Sequence, residues 1–444
     1  MRRRLERAMF GYYLNLGLRS LRRHPVLTAL MVFGIALGIA ASMTSLTVFH
    51  LMGSDPIPWK SSKLHYVQLD NWDVNEAYDR DSGSLPDQLT YLDAAALMAS
   101  SKADKQAAMY KVAMPVQPEN PEVKPFLALG RATGSDFFAM FEPPFKYGGA
   151  WDHAQDSQQA RVTVLTQETN EKLFGGADST GKRVKLDGVE YTVTGVLNRW
   201  QPRIKYYDVS NGPLSEPESF YIPFTTAIGL QMGSAGNNNC YKNAEPGWEG
   251  YLRSECIWIQ YWTQLDSSAR LAEYKSFLDA YVGEQKKLGR FERPLKTKLP
   301  DVNQWLEDQK VVSRDVEIQV GLAFAFLLVC LVNTVGLLLA KFTRKSAEIG
   351  LRRALGASRG QLFMQHLIEA GVVGISGGLV GLVLTWGGLF GVRALYEDFK
   401  NVAELDWQMV LITIGLSVLA AILAGLFPTW RACHVQPAAQ LKTQ

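Results

Sequence analysis

Residues Gly176-Ala-Asp-Ser-Thr-Gly181-Lys182 carry the G-x-x-x-x-G-K spacing of a phosphate-binding loop, where backbone amides cradle phosphates and the lysine reaches them. The next residue is Arg183, where magnesium coordination needs Ser or Thr, and the stretch beyond it reads as a hairpin strand instead of a helix. The segment is expected to be a turn, so energy from ATP would have to come from another polypeptide. Other chemistry is sparse. Six histidines are scattered without H-E-x-x-H or paired ligand spacing, so no metal site is expected. No G-x-S-x-G stands near a suitable base and no Cys/His pairing is evident. The chain is therefore expected to hold no catalytic residues of its own, and no nucleic-acid partner.

Four cysteines are too few for a disulfide scaffold. Cys330 falls in an apolar run and Cys433 near the C-terminal end, and both are expected to stay reduced. Cys240 and Cys256 lie in a Gly/Asn-rich stretch and could form one bridge if it faces an oxidising compartment; two unpaired thiols are the alternative.

The elements that must carry these residues are set by apolar runs free of Asp, Glu, Lys and Arg: Pro25–Ser54 (30 residues), Ile318–Ala340 (23), Ala370–Val392 (23) and Trp407–Trp430 (24). Each can cross ~30 Å of hydrocarbon, which takes about 20 apolar residues. A wholly soluble or disordered chain is excluded. The first run exceeds the roughly 7–15-residue core of a cleavable signal peptide, so it is read as a retained span.

The net charge of +3 hides a segregation. Arg2, Arg3, Arg4, Arg7, Arg19, Arg22 and Arg23 precede the first span against Glu6 alone, and Lys341, Arg344, Lys345, Arg352, Arg353 and Arg359 come after the second against Glu348 and Glu369. Residues 53–315 hold 29 basic and 35 acidic residues, a net of −6, and the last loop carries Glu397, Asp398, Glu404 and Asp406 against Lys400. Basic loops stay in the cytoplasm, so the large domain faces outward and both termini inward.

The expected layout is a cytoplasmic amphipathic helix (1–24) suited to membrane lipids, with Phe10, Leu14, Gly17, Leu18 and Leu21 on one face. Next in order are a first span (25–54), an outward domain (55–315) ending in a stalk (301–315) and a second span (316–340). Then come a cytoplasmic coupling loop (341–369), a third span (370–395), a short outward loop (396–406), a fourth span (407–430) and a cytoplasmic tail (431–444). The stalk is expected to run as one helix into the second span. This is an α-helical membrane protein with four transmembrane helices plus a large α+β extracytoplasmic domain of two subdomains. Within that domain, 64–69, 161–166, 190–197, 220–223 and 257–263 read as strands, and 87–100, 167–174 and 268–285 as helices. Asp187-Gly188 is a hairpin turn signal, and the Gly/Pro/Ser/Asn-rich 200–255 reads as an insertion or boundary.

In the third span, Gly374/Gly378, Gly377/Gly381 and Gly387/Gly391 form small-xxx-small pairs for close helix packing, within one subunit or between two. Asn333 and Thr334 are expected to hydrogen-bond another helix. The loop after the second span reads as a short charged helix, a Gly356-Ala357-Ser358 break and a second amphipathic helix, a form that suits docking into a groove on a soluble partner.

Within it, Glu348-Ile-Gly-Leu-Arg-Arg-Ala-Leu-Gly-Ala-Ser resembles the signature of the MacB/FtsX-like ABC transporter permeases. So do Gly17-Leu-Arg-Ser-Leu-Arg-Arg-His-Pro, Gly134-Ser-Asp-Phe-Phe-Ala-Met-Phe with Gly148-Gly-Ala-Trp, Phe174-Gly-Gly-Ala-Asp, and Pro428-Thr-Trp-Arg-Ala-Cys with Gln436-Pro-Ala-Ala-Gln-Leu. Together they cover most of the chain in order. The resemblance implies a bacterial inner-membrane permease that pairs with a second copy or a paralogous permease. A cytoplasmic ABC ATPase, holding ATP and magnesium, would rock the spans and so move the periplasmic domains, which is mechanotransmission. An adaptor protein and an outer-membrane duct would complete export. MacB carries a fused N-terminal ATPase, whereas 24 residues precede the first span here, so a separate ATPase subunit is expected. Carried over by position, Glu348, Gly350, Arg352 and Arg353 would contact it. Lipoprotein release and FtsX-like control of cell-wall hydrolases share this architecture, and a free-standing membrane enzyme is the remaining alternative.

Overall fold

In the computed structural model, residues 19, 25–79, 83–119, 121–294, 296–395 and 407–433 are described. The amphipathic helix expected over 1–24, the loop 396–406 and the tail beyond 433 lie outside them, apart from Arg19. From the N-terminal side the elements are α1 (Pro25–Gly53), β1 (Leu64–Tyr66), β2 (Gln68–Leu69), α2 (Tyr91–Ser100), β3 (Lys105–Gln117), β4 (Phe126–Thr133), α3 (Asp136–Phe141) and β5 (Phe145–Gly148). Then come α4 (His153–Ser157), β6 (Val162–Leu165), α5 (Gln167–Phe174), β7 (Arg183–Leu186), β8 (Val189–Leu197), β9 (Phe220–Pro223), α6 (Phe224–Gly229) and α7 (Trp248–Leu252). The chain continues through β10 (Gln260–Gln264), α8 (Ser268–Lys287), β11 (Thr297–Lys298), α9 (Val302–Asp308), α10 (Arg314–Arg344), α11 (Ser346–Ala354), α12 (Arg359–Leu395) and α13 (Trp407–Cys433). Two units result, one of residues 54–311 and one of the residues on either side.

In the flanking unit, α1, α10, α12 and α13 are each long and apolar enough to cross a membrane. Met31, Ile35, Ile39 and Met43 recur every four residues on α1, and meet Leu327 and Leu338 of α10, Val373 of α12 and Ala421 of α13. Outer faces stay apolar, with Leu30, Phe33 and Leu37 on α1 and Leu322, Leu328 and Val332 on α10 exposed. A lipid solvent allows this and water would not.

The 54–311 unit is built on a nine-stranded sheet in the order β1-β10-β3-β4-β9-β6-β8-β5, with β7 pairing both β3 and β8. That double pairing closes β3, β4, β9, β6, β8 and β7 into a ring, and their inward side chains, among them Tyr110, Val112, Val184, Tyr191, Val193 and Phe220, belong to one apolar core. The β7–β8 hairpin turns at Asp187 (φ 48°) and Gly188 (φ 76°), the positive-φ pair that a two-residue connection needs.

Four sequence expectations are corrected. The 64–69 run splits at Val67, because β1 pairs β10 while β2 pairs β11. Residues 200–255 are no mere insertion: β9 lies inside the ring, parallel to β4. β3 and β4 have no counterpart among the strands expected from the sequence, and β3 is thirteen residues long. The stalk is interrupted, since α9 ends at Asp308 and α10 begins at Arg314. Lys310 takes φ 50° between them, and α9 spends its apolar side locally, with Trp305 stacked on Tyr66 at 3.8 Å between centroids.

Candidate functional site

The expected coupling residues fall on α11. Glu348 Oε1 and Arg352 Nη2 pair at 2.6 Å across one helical turn. Arg352 Nη1 also donates to Gln365 Oε1 of α12 at 3.0 Å. Ile349 is buried with Leu362, backed by Ala357 and Phe363, so α11 folds back onto the start of α12. The turn between them uses Gly356 at φ +100°, a backbone that side chains rarely adopt. Ser358 and Gln361 then cap α12 reciprocally, Gln361 N donating to Ser358 Oγ (3.2 Å) and Ser358 N to Gln361 Oε1 (3.0 Å). Gly350 and Arg353 are half-buried on the same helix.

Beside the exposed Glu348, α11 and its C-terminal cap present two leucines outward. Leu351 is 62% and Leu355 80% exposed, one turn apart. Sequence reasoning favours the charges and misses both leucines, although their i, i+4 spacing is visible. At the other end of α11, Lys341 Nζ sits 2.6 Å from Glu369 Oε1, with both side chains almost wholly buried (0% and 3% exposed). Lys345 Nζ lies 3.4 Å from the same oxygen, and His366 Nδ1 lies 3.5 Å from the other. In the sequence these count only as loop charges.

The span glycines sort by neighbour. A Cβ on Gly374 would overlap Ala421 of α13, and one on Gly378 would overlap Ser417. On the other side of α12, Gly377 and Gly381 approach Ile35, Ala36 and Ile39 of α1. Gly387 and Gly391 have nothing within 4 Å of such a Cβ among the described residues. Thr334 is buried facing Gly34 of α1, but its hydroxyl donates within its own helix, to Cys330 O at 2.8 Å, the nearest acceptor for a helical threonine. Asn333 is exposed, with no hydrogen-bond partner among the described residues.

In the 54–311 unit, Cys240 and Cys256 are joined as a disulfide, beside an antiparallel bridge between Asn239 and Ile257. The phosphate-loop lookalike is a turn. Gly181 N donates to Val193 O at 2.8 Å, and Arg183, already in β7, pairs with Glu190 at 2.9 Å. Its other amides close the local turn, Lys182 N on Ser179 O at 2.9 Å and Thr180 N on Asp178 Oδ1 at 2.9 Å. Ser135 Oγ lies 3.0 Å from His153 Nδ1, and Asp136 Oδ1 lies 3.3 Å from His153 Nε2, which imitates a hydrolytic triad. The His153 side chain is 77% exposed, and the Ser135 amide is committed to Asp156 Oδ2 at 3.0 Å instead of facing an oxyanion. Among the described residues no group of three or more His, Cys, Asp or Glu could hold a metal ion.

A second buried charge cluster, in the 54–311 unit, joins Arg131 of β4 to Asp208, Glu218 and Lys205. Arg131 Nη2 reaches Glu218 Oε1 at 2.6 Å and also pairs with Asp208, while Lys205 Nζ lies 3.2 Å from Glu218. Burial pushes the Glu218 carboxyl up, but Arg131 and Lys205 outweigh it and hold it well below the usual carboxylate range. Burial pushes the Lys205 ammonium down against the attraction of Glu218. This cluster ties the 205–218 segment to the ring.

The family model for a MacB-like periplasmic core domain matches residues 28–276, more than half of the chain, and that for the FtsX-like permease C-terminal region matches 320–437. The chain belongs to the MacB/FtsX-like permease family. It is similar to the "Macrolide export ATP-binding/permease protein MacB" of Chlorobaculum tepidum, 25% identical over 66% of this chain and 40% of that protein. The protein of the same name from Chromobacterium violaceum is 22% identical over 98% of this chain and 61% of its own length. The permease thus spans less than two thirds of these curated relatives. Among solved structures it is similar to the periplasmic region of MacB from Actinobacillus actinomycetemcomitans, at 15% identity and TM-score 0.36, covering 56% of this chain and 92% of that one. It is an ABC transporter permease of the inner membrane, with four apolar helices and a mixed α/β periplasmic domain.

Proposed function

We propose that this permease works by mechanotransmission, driving efflux or export of periplasmic cargo with energy from a separate cytoplasmic ABC ATPase that holds the ATP and magnesium. The crowding of Arg and Lys before α1 and around α11 supports a cytoplasmic position for both termini and for the 341–369 loop. The observation that carries the reading is α11 itself. It is a nine-residue helix joined to α10 by the single turn residue Lys345, pinned back on α12 by Arg352 and Ile349, with Leu351 and the capping Leu355 exposed. An apolar i, i+4 pair rimmed by charge suits insertion into a groove on a soluble partner. Force on α11 then passes to two spans at once. The chain is proposed to act as a pair, with a second copy or a paralogous permease, and with an adaptor and outer-membrane duct receiving cargo.

Tagged full-length chain purified from native membranes should bring ATPase activity with it. Leu351→Asp with Leu355→Asp should lower that copurified activity at least tenfold, and Glu348→Gln with Arg352→Gln should leave an ATPase bound but uncoupled from cargo movement. Hydrolysis by the chain stripped of partners would sink the reading. Recovery of acylated lipoprotein in the complex would reassign the cargo step to lipoprotein release.

A further inference from the structure

The coupling helix is held to the spans at two places, and the second lies where neither charge is reached by water. Lys341 stands in the last turn of α10, Lys345 joins α10 to α11, and Glu369 lies within α12. A single carboxylate oxygen of Glu369 takes Lys341 at 2.6 Å and Lys345 at 3.4 Å. Its other oxygen faces His366 Nδ1 at 3.5 Å, and the His366 ring packs 4.5 Å from the ring of Phe342. One side chain on α12 thereby touches the end of α10 and the start of α11. Buried opposite charges are costly to separate, because each would be left unsolvated. An exposed pair such as Glu348–Arg352 exchanges readily with water and holds little. The two attachments of α11 therefore differ in kind: at its C-terminal half a half-exposed arginine on Gln365, at its start a buried ionic joint.

We propose that Glu369 is the positioning residue that fixes α11 to the spans: through Lys345 and Lys341 it makes the coupling helix, the end of α10 and α12 move as one body. This deepens the docking reading and rests on it. Glu369 acts through the two lysines.

Hydrogen–deuterium exchange on the full chain in detergent tests the joint without any ATPase. In Glu369→Gln, amides of residues 346–354 should exchange at least tenfold faster than in the wild type, with exchange over 91–264 unchanged. Combining Glu369→Lys with Lys341→Glu and Lys345→Glu, which reverses every charge of the joint, should return protection toward the wild type, which a loss of bulk packing alone would not allow. If Glu369→Gln fails to accumulate, Lys345→Met leaves the Lys341–Glu369 pair intact and should still raise exchange at the start of α11. Unchanged α11 exchange in a folded Glu369→Gln or Lys345→Met protein overturns the proposal. Failure of the wild type to retain an ATPase strikes the docking reading instead, and the exchange result stands separately.

Discussion

At the residue scale, the periplasmic unit is most exposed to change where charge is buried without water. Glu218 has its carboxyl depressed by Arg131 and Lys205, so its ionisation favours the folded state. That contribution is complete above the unfolded glutamate value of about 4.3, and is lost as pH falls through that value toward the lower folded one. Below neutrality the wild type should therefore lose stability between about pH 5 and pH 2, in part through this residue. Glu218→Gln should be less stable at pH 7 and show a flatter acid limb. Arg131→Met should cost about 3–5 kcal/mol, since it strands two carboxylates in the core. Tryptophan fluorescence during thermal unfolding reads this domain, because eight of the eleven tryptophans lie between residues 54 and 311. An acid limb in Glu218→Gln as steep as in the wild type would show that the pairing does not stabilise. None of this cluster is visible in the sequence: Arg131, Asp208 and Glu218 are separated by 77 and 87 positions and meet only because β4 and β9 pair in parallel.

At the element scale, packing separates glycines that look alike in the sequence. Gly374→Leu should force α12 and α13 apart, costing about 1–3 kcal/mol in the manner of an overpacked core. Gly387→Leu meets open space and should change stability by no more than about 0.5 kcal/mol. Heating detergent-solubilised variants and tracking retention of the monodisperse species by size exclusion checks this; equal loss in both would remove the distinction. Periodicity sufficed for what is locally encoded. The four spans, the Asp187-Gly188 hairpin, α5 and β9 were legible because composition or turn chemistry determines them. β3 was not, because Lys105–Gln117 is rich in Ala, Met and Lys, residues with no strand preference. It becomes a strand by pairing β10, β4 and β7. The interrupted stalk has the same cause, since Val302 and Trp305 look helical anywhere but are buried in the domain's own core. α11 was legible as a short charged helix, whereas its attachment was not: Lys341 and Glu369 meet only when α10 and α12 pack at the same end of the bundle.

At the scale of the whole molecule, the proposal depends on which side of the membrane each unit occupies, and the charge distribution makes that testable. Positive charge flanks α1 and surrounds α11, while residues 53–315 are net acidic. Lysine- and arginine-rich loops are retained in the cytoplasm, so the proposed topology has the 54–311 unit outward and α11 inward. The disulfide between Cys240 and Cys256 fits the first of these compartments, since thiols on the other side are kept reduced. Two exposed leucines offer reporters, Leu127 on β4 (70% exposed) and Leu355 beyond α11 (80% exposed). In a background with Cys330→Ser and Cys433→Ser, a maleimide that cannot cross the inner membrane should modify Leu127→Cys in cells whose outer membrane has been permeabilised. Leu355→Cys should be modified only after the inner membrane is broken. Labelling of Leu355→Cys in cells with that membrane intact would place the docking helix away from any cytoplasmic ATPase, and the drive would have to come from elsewhere. The expected pattern is the one the proposed drive requires, with α11 on the side of the ATPase and the 54–311 unit on the side of the cargo.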